Sequence, residues 1–224
     1  MKIKILLCVL VTVVYSLTLF SQSTRADSLS RQQIEKITEN QYRLGNVFID
    51  TEKRELTLNG VVNQDSGMIE LVACAPGGKT HESVFVWDVV PYHLQVALLL
   101  LGLKNGKSVS VQGDTTLPIG DSVYVYVSWK EQGRTIEHRA EDVVFDILKN
   151  KPMEHTAWIF AGSKLIEGKF MADVEKSLMT TYRDPFTILD NPLRGGTDDT
   201  IYRVNTNVVP KKGSFISVRI VSQK

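Results

Sequence analysis

The chain has 224 residues, 26 basic against 25 acidic side chains, and a formal charge of +1. No long basic block and no arginine-rich helix occurs in it, so the electrostatic footprint of a nucleic-acid-binding protein is missing. Its two cysteines, Cys8 and Cys74, exclude a four-cysteine iron–sulfur cluster.

Lys2 and Lys4 precede an uncharged run of sixteen residues, Ile5 to Phe20, that ends at Ser21-Gln22-Ser23-Thr24. This is the layout of a signal peptide. The run falls short of the roughly 20 apolar residues that span a bilayer, which favours cleavage over retention as an anchor. Either outcome places the rest of the chain outside the cytoplasm: periplasmic, cell-surface or secreted. Thr24-Arg25-Ala26 puts small residues at positions −3 and −1 of a cleavage site, making 1–26 the leader and Asp27 the first mature residue. Cys8 lies too early for a lipid-modified cysteine. The mature chain keeps 23 basic and 25 acidic groups and one cysteine, Cys74, so it forms no internal disulfide. No later segment is long and apolar enough to span a membrane; Val96 to Leu101 is the longest candidate.

Ser28 to Tyr42 carries Leu29, Ile34 and Ile37 about one helical turn apart, which predicts a short amphipathic helix within an N-terminal appendage, residues 27–45. Strand patterns follow. Asn46 to Asp50 and Glu55 to Val62 flank a turn and predict a hairpin. Met68 to Cys74 and Ser83 to Val90 predict two further strands around Ala75-Pro76-Gly77-Gly78. Pro91 opens Tyr92 to Leu103, apolar on every face and therefore expected to be a buried helix ended by Gly102 or Gly106. Ser108 to Gln112, Asp121 to Trp129, Thr135 to Ala140, Ala157 to Ala161 and Gly213 to Val221 complete the expected strands. Arg194 to Asp199 reads as a solvated polar loop, with an acidic cation site as the alternative. The expected fold is a single α+β domain over 46–224, mainly antiparallel and sandwich- or barrel-like, with one buried helix besides the N-terminal one.

Chemistry concentrates between Cys74 and His93. Ala73 to Thr80 satisfies a relaxed phosphate-loop pattern, but that chemistry needs a helix directly after Lys79-Thr80, and the following residues read as a strand. If that strand starts near Lys79, then Lys79, His81 and Ser83 share one face and Glu82 the other. A turn at Pro76 to Gly78 would return Cys74 to the neighbourhood of His81, and His93 could approach from the helix. Three readings stand. Cys74, His81, Glu82 and His93 are credible ligands for zinc or another transition metal. Lys79, His81, Glu82 and Ser83 could bind a small ligand or an envelope protein. Cys74 could be a nucleophile with His81 as its base in a thiol-dependent hydrolase or transferase, with the Gly77 and Gly78 amides facing an oxyanion. Against all three stands a structural role in which His81 and Glu82 satisfy the turn while Cys74 and His93 fill the core. Ser163 is a poorer nucleophile, because the Gly-x-Ser-x-Gly elbow is absent.

Cys74-Ala75-Pro76-Gly77-Gly78-Lys79-Thr80-His81-Glu82-Ser83, the Pro-led helix with Ala97-Leu98-Leu99-Leu100-Leu101-Gly102, Trp158 to Ser163 and Ala172-Asp173 together resemble the YdjY-like family of exported bacterial proteins. The likeness runs over about residues 46 to 222, with Gly-Lys-x-His-Glu as its hallmark. The family has no established activity, so the resemblance implies domain limits and an envelope or secreted location, and no mechanism.

Overall fold

Residues 34–222 are described in a computed structural model of the chain. The leader and its cleavage site lie outside them. Eight strands close on one another: β1 (Glu55–Val62), β2 (Leu71–Cys74), β3 (Ser83–Trp87), β4 (Ser122–Glu131), β5 (Trp158–Phe160), β6 (Ser177–Thr180), β7 (Leu189–Asp190) and β8 (Phe215–Ser222). Their order in space is β1-β8-β4-β5-β7-β6-β2-β3, and β3 pairs back onto β1. The result is a barrel, mainly antiparallel, with two parallel neighbours, β2/β3 and β6/β7.

Alternation builds the long wall of the barrel. Leu56, Leu58 and Val62 of β1, Val123, Val125 and Val127 of β4, and Ile216, Val218 and Ile220 of β8 point inward and are buried, while the residues between them stay partly or fully exposed. A strand with one dry face must put its apolar set there. Gly60 interrupts that set because a Cβ would lie 2.6 Å from the Val86 carbonyl oxygen, where β3 crosses close to close the barrel.

Outside the barrel, Val47–Asp50 pairs with β1 as expected from the hairpin pattern. The helix expected up to Tyr42 is not there. Glu35–Lys36 and Gln41–Leu44 are strands, and the latter pairs with Val47–Asp50 around a two-residue turn, Gly45-Asn46. Gly45 has φ +56°, which suits the first central position of such a turn. Pairing to an existing sheet outweighs a weak helical period. The rest of the expected helix lies outside the described residues. Ser108 to Gln112 is irregular rather than a strand, and the pairing falls just before it, where Asn105–Lys107 meets Ile119–Gly120.

Helix α1 (Pro91–Leu100) starts with proline at its first turn and is followed by Gly102 at φ +78°. Its His93, Leu94, Ala97 and Leu98 are buried, yet Tyr92, Leu99 and Leu100 are exposed, so only part of the expected burial is realised. A second helix, α2 (Met171–Glu175), was not legible in the pattern. Among the described residues, no helix is long and apolar enough to cross a membrane.

Candidate functional site

Strands β2 and β3 are neighbours, consecutive and parallel, which forces the chain to travel the length of the pair between them. Such a connection usually takes a dozen residues or more; here residues 75–82 suffice. Glycine makes the short route feasible. Gly77 sits at φ +82°, and a Cβ on Gly78 would lie 2.7 Å from that of Lys176 and 3.1 Å from that of Cys74. Thr80–Glu82 then forms a single 3₁₀ turn. The turn is held from outside: Asn63 Nδ2 donates to the Thr80 and Ser83 carbonyls, Gln64 Nε2 to Thr80 at 3.1 Å, and Ser83 Oγ to the Lys79 carbonyl at 2.7 Å.

The loop presents a charged cluster. Lys79 Nζ lies 3.3 Å from Glu82 Oε1, and His81 Nε2 lies 3.5 Å from Glu82 Oε2. Glu70, just before β2, and Asp184, just after β6, bring two further carboxylates. Burial pushes the Glu70 carboxyl above its ordinary range and the Glu82 charge adds to this, against the pull of Lys79. Burial likewise raises Asp184, opposed by the Phe186 amide, by Lys79 and by the Ser177 hydroxyl. For Lys79, burial disfavours the charge, but Glu82, Asp184 and Glu70 outweigh it and the ammonium pKa is raised. One ammonium thus faces three carboxylates, two of which hold their protons more tightly than usual.

Of the candidate residues, Lys79 and Glu82 meet, His81 joins them at the rim with a side chain 78% exposed, and Ser83 is buried beneath the loop. The 3₁₀ turn breaks the expected alternation, so Lys79, His81 and Ser83 do not share a strand face. The expected metal set does not assemble. The parallel register pairs Cys74 with Val86 rather than returning it to His81, and His93 lies in α1 against Gly45, whose Cβ would meet its Nδ1 at 2.5 Å. Burial lowers the His93 pKa, with Asp173 opposing. Among the described residues no three His, Cys, Asp or Glu side chains are placed to hold a metal ion. Cys74 is fully buried, and burial raises its thiol pKa against the opposing Ser83 hydrogen bond, so it lacks the exposed thiolate that a nucleophile requires.

Glu70 and Asp184 escaped the sequence reading. The available signal was the polar run Thr180-Thr181-Tyr182-Arg183-Asp184, which carries too many hydrogen-bonding groups for an ordinary core strand. Arg194–Thr197 is a 3₁₀ turn. Asp198 beyond it is bound by the Thr200 amide and hydroxyl at 2.9 and 2.6 Å. Arg194 and Gly195 also edge a cavity of about 430 Å³ with Leu148, Lys149 and Ile201.

In comparison with known proteins, the family model described as the YdjY domain matches residues 47–221. No curated protein and no solved structure matches the chain.

Proposed function

The chain belongs to the YdjY domain family, and from that premise we propose that it is an exported binding module whose ligand site is the Lys79–Glu82 loop with Glu70 and Asp184. Export is supported by the leader-like residues 1–26, and the thiol reading is disfavoured by the burial of Cys74. The observation that carries the proposal is the imbalance of charge around Lys79. Carboxylates raised by burial and mutual repulsion gain most from an incoming cation. A small ligand with a protonated amine would neutralise Glu70 and Glu82, while Lys79 and the exposed His81 would take a ligand carboxylate or carbonyl. Amino acids and short peptides present both groups.

Lysine, 1,5-diaminopentane and glutarate serve as probes. The two amines are expected to stabilise the fold by mass action, by about 2.7 kcal/mol at a hundredfold excess over Kd, and so to raise the melting temperature, and glutarate is expected to leave it unchanged. Glu82→Gln should remove the response while melting as a folded protein without probe. A response to glutarate alone, an undiminished response in Glu82→Gln, or no response to any probe would refute the reading.

A further inference from the structure

The period of two that sends Leu56, Leu58 and Val62 of β1 into the barrel sends Thr57, Asn59 and Val61 outward. On that outer wall lie two shallow depressions, of about 280 and 370 Å³, which adjoin across Asn59 and Asp88. Phe215, Val61 and Val86 line the first, and Phe48 lines the second. Phe215 is 83% exposed, the most of any large apolar side chain among the described residues. It stands opposite Val61 on one side of β1, while Phe48 stands opposite Thr57 on the other. The two aromatic residues are therefore about 13 Å apart along the strand direction.

Between them the groove is polar. Asn46 Nδ2 donates to Asp88 Oδ2 at 2.9 Å, which leaves the Asn46 carbonyl oxygen and Asp88 Oδ1 to accept. The exposed Asn59 carboxamide makes no hydrogen bond among the described residues, so its donors and its acceptor are all open. Charge in the lining balances: Arg43 offsets Asp88, and Arg43 also lies 3.7 Å from Glu35. Lys211 and Lys212, in the turn before Phe215, stand outside the lining. Such a surface selects a ligand that is apolar on its faces, rich in hydroxyls at its edges, and uncharged. A pyranose ring has that form, with C–H groups on its faces to lie on an aromatic ring and hydroxyls that exchange hydrogen bonds with carboxamides and a carboxylate. Several such rings in an extended chain cover the distance from Phe48 to Phe215. We infer that this groove binds a neutral oligosaccharide, with sugar faces on Phe48 and Phe215 and hydroxyls on Asn59, Asn46 and Asp88. None of these residues belongs to the Lys79 cluster.

The test uses the chain from Asp27, since Glu35–Lys224 is a compact unit in itself. Cellotetraose and N-acetylchitotetraose, both extended and uncharged, serve as probes in isothermal titration calorimetry. At least one is expected to bind, with an affinity that salt leaves unchanged. Phe215→Ala and Asn59→Ala should each weaken binding about tenfold, while Phe215→Tyr, which keeps the ring, should bind as wild type does. All three alter exposed side chains, and an unchanged circular dichroism melt verifies that the variants fold. Binding of neither probe, or equal affinity in wild type, Phe215→Ala and Asn59→Ala, would overturn the inference. So would a loss in Phe215→Tyr as large as that in Phe215→Ala. A wild-type dimer in sedimentation velocity that Phe215→Ala dissociates and neither probe displaces would overturn it too, and would assign the groove to a second copy of the chain.

Discussion

Arg183→Met is expected to destabilise the barrel by about 3–5 kcal/mol, the range found when one member of a buried charged network is removed. Arg183 is 1% exposed. Its Nε donates to the Asn191 carbonyl at 3.1 Å, Nη1 to that of Asp114 at 2.8 Å, and Nη2 to those of Leu193 at 2.8 Å and Pro192 at 3.4 Å. The guanidinium therefore ties two irregular segments, around 114 and 191–193, to the end of β6. Burial lowers its pKa, and the charges of Asp190 and Asp114 oppose that loss. Methionine fills a similar volume but leaves buried carbonyl groups without donors, each costing about 1–3 kcal/mol. Lysine keeps the charge but cannot span the same carbonyls, so Arg183→Lys should fall between wild type and Arg183→Met. Urea denaturation reads this as a lower midpoint at unchanged slope. A loss under about 1 kcal/mol for Arg183→Met would show that the strut carries no weight.

The second large effect concerns pH. Asp190 is fully buried. Its Oδ1 accepts from Thr180 Oγ1 at 3.0 Å and from the Asn191 amide at 2.8 Å, while Oδ2 has no hydrogen-bond partner. Burial pushes its pKa up to about 7, with Asp184 adding to the rise and the two hydrogen bonds and Arg183 opposing it. Between its unfolded value of 3.8 and 7 the folded chain holds a proton that the unfolded chain has released. Stability from this group is therefore fully present below pH 3.8 and is lost as pH rises through 7, by about 4 kcal/mol in all. Asp184 and Glu70 are raised too and act with the same sign. Asp190→Asn should flatten the profile, so that the variant gains on wild type between pH 5 and pH 8. The gain should stay below the full amount, because wild type has already lost the part of the stabilisation that falls between pH 3.8 and pH 5. An unchanged difference in stability between pH 5 and pH 8 would contradict the assignment of the pH dependence to Asp190.

How much of this was legible beforehand depends on the strand. The β1, β4 and β8 runs alternate over eight to ten residues, long enough for the period of two to identify both the strand and its inner face. By contrast, β7 has two residues and β5 three, too few to show any period. Pattern also says nothing about partners. Leu71–Cys74 and Ser83–Trp87 were recognisable as apolar strands around a glycine turn, and a hairpin was the natural reading, yet their pairing is parallel. The parallel register sets Cys74 opposite Val86, and among the described residues no three of the expected ligands converge on a metal position. Lys79 and Glu82 were legible as a site because they are close in sequence. Glu70 and Asp184 were not, because only the closure of β6 onto β2 brings residue 184 to the loop.

The charge cluster at the Lys79 loop is the centre of the account, and an NMR titration of the ¹⁵N-labelled chain with lysine examines it most directly. The account predicts that the amide resonances of Glu70, Lys79, Glu82 and Asp184 move together along one binding curve, and that Glu82→Gln abolishes the movement. Perturbations confined to the Leu148, Lys149, Arg194 and Ile201 cavity, or none at all, would contradict it.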